Sequence, residues 1–354
     1  MAAAASAAAD ATSSSSRWST LTGASCHAPA VRYAAAMSEH ASAALDLVAP
    51  RGYCAGVDRA IETVERALDE LGAPVYVRGE IVHNRHVVDT LAERGAVFVP
   101  SELDVPEGAT IILSAHGVAP EVYDNCRTRG LNIIDATCPL VSKVHAEVRR
   151  YASRGATVLL VGHADHDEVI GTRGEAVEQV IVVEDTEQAR TVQVPDPSAV
   201  ALTTQTTLSL DDTAAIVAIL HERFPALQTP TKSDICYATQ NRQDAVKAAV
   251  GDGADLVLVV GSQNSSNSNR MVEVGQAAGA EAHLIENADA VDRSWLAGKE
   301  RVALTAGASA PEVLVREVAD LLVGSGFVQT GDELPSAEGV VFALPREVRI
   351  GSAD

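Results

Sequence analysis

The sequence predicts an α/β fold, in which three similar α/β lobes are arranged around one central site. Short β-branched runs alternate with amphipathic helical runs from about residue 44 onward, and this alternation is typical of parallel sheets with crossover helices. The pattern recurs in three stretches, and each stretch has polar side chains directly after a predicted strand or at a predicted helix start. Because ligands of α/β sheets bind at that edge, we expect the lobes to share one site.

The predicted organisation has five segments. Residues 44–138, 139–235 and 236–324 form the three lobes, and residues 325–354 form a C-terminal tail. Residues 1–43 are rich in alanine and serine and have no periodic apolar face, so we exclude them from the fold as a disordered or misassigned N-terminal extension. Met37 is a candidate true start, whereas an organellar transit peptide would have the same composition.

The first predicted strand covers residues 45–48, and the first predicted helix follows it. That helix has apolar residues at helical spacing from Val57 to Leu71 and ends at Gly72. The further predicted strands are apolar runs at residues 75–77, 96–99, 110–113, 132–134, 157–161, 200–203, 256–260 and 302–305. Helices are predicted between many of these strands, which completes the repeating pattern.

The composition indicates a protein that binds a small molecule or another protein. The chain has 354 residues, 47% hydrophobic content and a formal net charge of −21, which is enough apolar material for several packed lobes. The negative charge argues against nucleic acid and anionic membrane surfaces as partners, since both favour basic patches. No apolar run has the length of a membrane span. We therefore expect a cytoplasmic protein, with an organellar location through residues 1–43 as the alternative.

Three of the cysteines occupy the same kind of position. Cys54, Cys138 and Cys236 each lie at a predicted helix start, where the helix dipole and free N–H groups lower the pKa of a thiol and favour the thiolate that binds metal. Their spacing carries no metal signature, and three separate buried cysteines are the alternative. Three thiolates on an iron–sulfur cube would leave one iron open for substrate, which favours catalysis. Cys126 lies inside a predicted helix and is interpreted as structural.

A stretch rich in serine and asparagine predicts an anion site. The segment 261–271 follows an apolar strand and begins a helix, where Ser265, Ser266 and Asn267 offer hydroxyl, amide and backbone N–H groups. Ser309 lies in a similar turn before Pro311, although a lone serine in such a turn is more typical of helix capping. The chain has neither a Walker-type nor a dinucleotide-binding glycine motif, so a small diphosphate fits better than ATP or NAD.

Histidines recur at predicted strand ends. His83, His116, His163 and His166 lie in such positions, where imidazole can donate to phosphate or relay a proton near neutral pH. A single histidine there is more often structural, but the recurrence favours a site. Glu168 follows His166 by two residues and is a candidate proton donor if burial raises its pKa. The alternative is a solvated loop carboxylate.

Eight motifs in a fixed order resemble the signature set of 4-hydroxy-3-methylbut-2-enyl diphosphate reductases. The motifs are RGYCAGVDRAI, VHNRHVV, SAHGV, DATCPLVSKVH, TQTTLSLDDT, DICYATQNRQ, GSQNSSNSNR and TAGASAP. The resemblance extends from about residue 47 to residue 325. The resemblance implies a three-lobed α/β fold around a central iron–sulfur cluster, which agrees with the expectation of one shared site.

The resemblance also implies roles for individual residues. Cys54, Cys138 and Cys236 would hold one 4Fe-4S cluster per subunit. Glu168 would supply the proton as a catalytic residue, and His166 and Thr206 would be catalytic as well, with Thr206 orienting the glutamate. The implied substrate-binding residues are His83, His116, His166, Thr206, Ser265, Ser266, Asn267 and Ser309.

The implied reaction is the reductive dehydroxylation of this allylic diphosphate to isopentenyl and dimethylallyl diphosphate, the last step of the non-mevalonate isoprenoid pathway. Two electrons would arrive singly from a donor such as ferredoxin or flavodoxin, and the hydroxyl group would leave as water. Such donors are usually acidic. A chain with a net charge of −21 therefore needs a local basic patch for docking.

One position departs from the family's pattern. The family usually has proline directly before the glutamate, whereas this chain has Asp167. Loss of the proline frees the loop and adds a charge beside Glu168, so we expect a shift in the pKa of that carboxyl group. The pair of His166 and Glu168 is retained.

Two other functions fit parts of the pattern. An iron–sulfur condensing dehydratase of the quinolinate synthase kind would also use three cysteines and three lobes, but the motifs GSQNSSNSNR and TQTTLS argue against it. A noncatalytic metal- or redox-sensing module would need only the cysteines. The presence of Glu168, Thr206 and the predicted diphosphate residues argues against a sensor.

Overall fold

A computed structural model of the chain describes residues 43–330 and 338–349. Its strands are β1 (Ala44–Leu47), β2 (Val75–Arg78), β3 (Ala96–Val99), β4 (Thr110–Leu113), β5 (Asn132–Asp135), β6 (Thr157–Val161), β7 (Val180–Val183), β8 (Val200–Thr204), β9 (Leu256–Val260), β10 (Glu281–Ile285), β11 (Arg301–Ala306) and β12 (Val328–Thr330). Its α-helices are α1 (Ala55–Leu71), α2 (Arg85–Glu93), α3 (Pro120–Thr128), α4 (Pro139–Ala152), α5 (Asp167–Gly174), α6 (Thr186–Thr191), α7 (Leu210–Arg223), α8 (Tyr237–Gly251), α9 (Ser266–Ala277) and α10 (Glu312–Gly324). Short 3-10 turns cover Glu102–Asp104, Ala288–Ala290, Arg293–Leu296 and Arg346–Val348.

The strands form three parallel sheets, one in each lobe. The first sheet has the strand order β3-β2-β4-β5, the second β7-β6-β8, and the third β10-β9-β11-β1-β12. Neighbouring strands are parallel throughout, so helices and loops must return the chain from one strand to the next. This confirms the predicted α/β class with three lobes.

Strand β1 belongs to the sheet of the third lobe. Leu45 lies opposite Val302 of β11 on one side and opposite Gln329 of β12 on the other. The sequence-based division instead put β1 into the first lobe and β12 into the C-terminal tail. Strands from opposite ends of the described chain pair without leaving a pattern in the local sequence. The sequence-based division therefore could not include this pairing. The remaining lobe boundaries stay predictions.

Three observed strands are absent from the predicted set, namely β7, β10 and β12. All three lie at the edge of a sheet. Strand β10 includes two polar positions, Glu281 and His283, and every residue of β12 is exposed. Edge strands are covered on fewer sides than central ones, so their apolar pattern is weaker.

Central strands and one face of each helix form the core. Strand β9 is fully buried along its whole length, as expected for a parallel strand covered on both faces. Helix α1 buries Val57, Val64 and Leu68 on one face and ends before Gly72, as predicted. Gly72 has a φ of 77°, a conformation that glycine adopts without strain.

The predicted N-terminal extension lies outside the described residues except for Ala43. This includes Met37, the candidate start. Among the described helices, none combines the length and the apolar character that crossing a lipid bilayer requires.

Candidate active site

The three cysteines each lie directly before a helix, as predicted. Cys54 is the N-cap of α1, Cys138 of α4 and Cys236 of α8. None of them caps its helix with a side-chain hydrogen bond, so the sulfur atoms stay available as ligands. We call these three residues the thiol cluster.

Backbone hydrogen bonds tie each cysteine to a loop that bears another predicted site residue. Cys54 N–H donates to Ala308 O at 3.2 Å, beside Ser309. Cys138 N–H donates to Ala115 O at 3.0 Å, beside His116, and Cys236 N–H donates to Thr206 O at 2.9 Å. Main-chain contacts therefore place each cysteine beside a loop that bears another predicted site residue.

Gly56 lies between two of the sulfur atoms and was not predicted from the sequence. A Cβ atom at Gly56 would lie 2.7 Å from Cys138 Sγ and 3.8 Å from Cys54 Sγ. The first of these distances is shorter than any ordinary contact, so only glycine fits beside the thiol cluster. The motif RGYCAG contains this glycine, but the close approach depends on the sulfur of Cys138, which is distant in sequence.

Burial dominates the acid–base behaviour of the thiol cluster. It raises the pKa of Cys138 to about 11 and of Cys236 to about 12, and it raises the pKa of Cys54 as well. Backbone N–H groups of the first helical turns lower these values, and a neighbouring thiolate raises them for Cys138 and Cys236. The expectation of lowered thiol pKa values was therefore wrong in sign for the protein without metal, because burial outweighs the helix start.

The donor set nevertheless fits a soft metal centre. Three buried sulfur atoms that repel one another as thiolates need a cation to balance them. Thiolates are the ligands that iron–sulfur clusters and zinc prefer. N–H groups of the first helical turns lie near each sulfur and lower its pKa, and such groups tune a bound metal centre.

Glu168 lies in the first turn of α5 and is 2% exposed. One carboxyl oxygen accepts the backbone N–H of Thr206 at 2.6 Å, and the other accepts the Thr206 hydroxyl at 2.8 Å. Burial raises the pKa of Glu168 to about 7, although both Thr206 bonds and His145 lower it. An acid with such a pKa can hold and release a proton at neutral pH.

The neighbour of Asp167 in the structure is His83. Asp234 is the carboxylate that raises the pKa of Glu168, whereas the carboxylate of Asp167 is half exposed and lies 3.9 Å from His83 Nε2. The predicted shift of the Glu168 pKa by Asp167 stays untested, but the structure gives Asp167 a different neighbour.

His166 is the N-cap of α5, and its contacts fix its tautomer. Its Nδ1 accepts the backbone N–H of Glu168 at 3.2 Å, so the proton of the neutral ring must sit on Nε2. Burial, together with His83 and His163, lowers the pKa of His166 to about 4. The ring is therefore neutral at physiological pH and offers one N–H donor.

His83 and His116 stack against each other. Their ring centroids are 3.9 Å apart with an interplanar angle of 19°, and the ring of His166 stands edge-on to both. Burial and the two other histidines hold the pKa of His116 well below its ordinary value. His116 is thus a neutral hydrogen-bonding group.

The serines and asparagine meet at the start of α9. Ser265 is the N-cap of this helix and accepts the N–H of Ser268 at 3.4 Å, and its hydroxyl lies 3.5 Å from that of Ser309. Ser309 donates to His83 O at 2.9 Å. Asn267 is 4% exposed and its Oδ1 has no hydrogen-bond partner in the structure. Six of the predicted substrate-binding residues form what we call the anion cluster. They are His83, His116, Ser265, Ser266, Asn267 and Ser309.

One cavity is lined by all twelve predicted site residues. They comprise the thiol cluster, the anion cluster, His166, Glu168 and Thr206. Further lining residues that sequence reasoning did not single out are Gly56, Val57, Val82, Ala115, Leu140, Val141, Thr207, Ala238, Thr239 and Ala308. Most are small or apolar and leave no chemical signal in a sequence, yet they define the shape of the cavity.

One further histidine and one further cysteine lie elsewhere. His163 bonds through Nε2 with the guanidinium of Arg270 at 2.9 Å and lines a different pocket. Cys126 is fully buried inside α3, which agrees with the structural interpretation. A position after a strand therefore predicts the edge of the sheet but not which cavity a side chain enters.

The family to which the chain belongs follows from its comparison with known proteins. The family model described as LytB protein matches residues 45–323. The chain belongs to the LytB protein family. The match begins within β1 and ends within α10, so it includes the strands from β2 to β11 and every residue that lines the site cavity.

Curated relatives agree with this assignment. A 4-hydroxy-3-methylbut-2-enyl diphosphate reductase of Mycobacterium ulcerans is 58% identical over 304 residues, which are 86% of this chain and 91% of the relative. The protein of the same name from Nocardia farcinica is 55% identical over 86% of this chain and 90% of its own length. The resemblance noted from eight motifs is thereby confirmed.

Solved structures of this family have the same fold. The E-1-hydroxy-2-methyl-but-2-enyl-4-diphosphate reductase of Plasmodium falciparum is similar with a TM-score of 0.83 and 37% identity, over 87% of this chain and 97% of that one. A second structure, titled (E)-4-hydroxy-3-methyl-but-2-enyl diphosphate reductase, the terminal enzyme of the non-mevalonate pathway, has a TM-score of 0.57 and 31% identity, over 79% of this chain and 99% of that one.

Proposed function

We propose that this LytB family member is a 4-hydroxy-3-methylbut-2-enyl diphosphate reductase. It would convert the allylic alcohol diphosphate, two electrons and two protons into isopentenyl or dimethylallyl diphosphate and water. The observation that carries the proposal is one cavity that combines three thiols, a buried acid whose pKa is raised to about 7 and a cluster of hydrogen-bonding side chains.

The thiol cluster would hold one 4Fe-4S cluster per chain, bound through Cys54, Cys138 and Cys236. When bound, this group supplies electrons one at a time and a Lewis-acidic iron with an open position. The chain's own contribution is to hold three sulfur atoms at helix starts and to keep the surroundings buried.

The anion cluster would bind the diphosphate. Ser265 and Asn267 lie at the start of α9, where free N–H groups and the helix dipole favour negative charge. The imidazole of His116, whose pKa is held well below its ordinary value, and the serine hydroxyls add hydrogen-bonding groups. Such a clamp holds the carbon skeleton in one orientation, which favours reaction at one end of the substrate.

Glu168 would supply the proton that turns the hydroxyl group into water. Protonated Glu168 donates, and the resulting carboxylate is stabilised by the N–H and hydroxyl of Thr206, which already point at its two oxygens. His166 would bind near the alcohol end of the substrate through its Nε2–H group. The same histidine accepts the Glu168 N–H and so keeps the first turn of α5 in place.

The electron donor would be an acidic carrier such as ferredoxin or flavodoxin. A candidate docking region lies around Arg59 and Arg349, because Arg59 donates to the carbonyl of Thr137 beside Cys138 and the charge of Arg349 is close enough to lower the pKa of Arg59. A cytoplasmic location is part of the same proposal.

The test is the anaerobically purified protein assayed with a strong one-electron donor. We expect a 4Fe-4S spectrum and consumption of hydroxymethylbutenyl diphosphate in the parent, and a fall in kcat of about 10²- to 10⁴-fold in Glu168→Gln with the spectrum unchanged. Glu187→Gln, at an exposed position, is the control. A bound cluster without turnover would favour a sensor or a dehydratase, and absence of a cluster after reconstitution would end the iron–sulfur proposal.

A further inference from the structure

Asp167 forms a group with two histidines of the anion cluster. Donor atoms of His83, His116 and Asp167 all lie within 4.8 Å of one another. Asp167 is the first residue of α5, and its half-exposed carboxylate lies 3.9 Å from His83 Nε2. The proposed reaction assigns the histidines to the diphosphate but leaves this carboxylate without a role.

Two imidazoles and one carboxylate are a typical ligand set for Zn²⁺ and related divalent transition metals. A tetrahedral ion with ligands at about 2.0–2.2 Å holds them about 3.4 Å apart. Rotations of the side chains therefore suffice to bring the three donors together. The stacked rings of His83 and His116 must turn about their Cβ–Cγ bonds, which are soft torsions.

The outer partners of the two histidines favour metal binding. His83 Nδ1 lies 3.2 Å from Glu80 Oε2, and His116 Nδ1 lies 3.4 Å from the Ser114 hydroxyl. The Glu80 carboxylate favours the proton on Nδ1 of His83 and leaves Nε2 as a ligand, which is the usual arrangement around bound zinc. The Ser114 hydroxyl can donate or accept, so it permits the same tautomer for His116. His166 is the opposite case, because its Nδ1 accepts a backbone N–H and its Nε2 carries the proton. This difference explains why two of the three clustered histidines, and not the third, belong to the group.

We propose that His83, His116 and Asp167 form a binding site for a divalent transition-metal ion of the zinc class. Because two of its ligands belong to the anion cluster, the ion and the substrate diphosphate exclude each other. The binding site rests only on the geometry, whereas the competition rests on the proposed function. The ion would thus act as a reversible inhibitor, and the carboxylate of Asp167 makes the inhibition possible.

The test is a calorimetric titration of the cluster-loaded protein with ZnCl₂ under anaerobic conditions. We expect one ion to bind per chain in the parent, with a Kd about tenfold or more higher in Asp167→Asn, since a ligand charge is lost. Asp165→Asn removes an exposed carboxylate from the same loop and should bind zinc as the parent does. An equal Kd in the parent and Asp167→Asn would overturn the site.

Steady-state kinetics test the competition separately. Zinc should raise the apparent KM of the parent and of Asp165→Asn and leave kcat unchanged, and this effect should be lost in Asp167→Asn. Chelation of zinc by the diphosphate is the same for all three proteins, so the comparison cancels it. Zinc binding by a protein without reductase activity would contradict the proposed function but not the metal site. Inhibition by zinc that changes only kcat would contradict competition between zinc and the substrate.

Discussion

The thiol cluster and the anion cluster line the same cavity but are held by different kinds of contact. Each cysteine is fixed by its backbone, through an N-cap position and an N–H bond to a neighbouring loop. The anion cluster is fixed largely through side chains, as in the contacts of Ser309 with Ser265 and His83. A substitution in the thiol cluster should therefore remove a ligand and leave the scaffold intact, whereas one in the anion cluster should also disturb its neighbours.

Replacement of a thiol is expected to have the largest effect. Cys138→Ser should abolish the visible iron–sulfur spectrum and all reductase activity, since a hydroxyl replaces the sulfur ligand. The far-ultraviolet circular dichroism should stay that of the parent, because the backbone bond of residue 138 to Ala115 does not involve the side chain.

Cys126→Ala is the matched control for Cys138→Ser. Cys126 is buried in α3 and lies outside the cavity, so the cluster spectrum and activity should persist. Retention of a full cluster in Cys138→Ser would contradict the assignment of this residue as a ligand.

Substitution at the centre of the anion cluster is expected to act on substrate binding. Ser265→Ala should raise KM about tenfold, as loss of one hydrogen bond to a charged group does, with a smaller change in kcat. The exposed Ser325→Ala should leave KM unchanged. Because the two hydroxyls are in contact, the effects of Ser265→Ala and Ser309→Ala on KM should not be additive. If the effects of the two substitutions on KM are strictly additive, the anion cluster is held by its backbone and not by contacts between side chains.

The smallest expected effect is a shift in pH dependence. Glu168 must be protonated to donate, so kcat should fall as pH rises through the Glu168 pKa of about 7. The Thr206 hydroxyl lowers that pKa, and Thr206→Val should therefore move the basic limb of the profile to higher pH. Thr203→Val is the control, since the buried Thr203 hydroxyl has no hydrogen-bond partner in the structure. If the basic limb of the kcat–pH profile is unchanged in both Thr206→Val and Glu168→Gln, Glu168 is not the group that titrates.

Local sequence patterns predicted those parts of the fold that depend on residues close together in sequence. Apolar runs predicted the central strands, and helical spacing predicted α1 up to Gly72. The placement of polar residues after strands predicted one shared cavity, because parallel strands end at a common edge.

Features that depend on distant parts of the chain could not be predicted in this way. The need for glycine at position 56 arises from the sulfur of Cys138, which is distant in sequence. The rise in the pKa of the cysteines arises from burial, which follows only from the assembled lobes. The individual roles of the twelve predicted site residues stay predictions until the variants are measured.

The position of β1 between β11 and β12 has a consequence for the order of assembly. Cys54 follows the strand that leaves the ribosome first among the described ones, yet that strand completes its pairing only with the last two to be synthesised. Domains that fold during translation usually do so from the N-terminus, but the third lobe cannot close in that order. The thiol cluster is therefore complete only after synthesis of nearly the whole chain, and maturation of a metal centre on it must be a post-translational event.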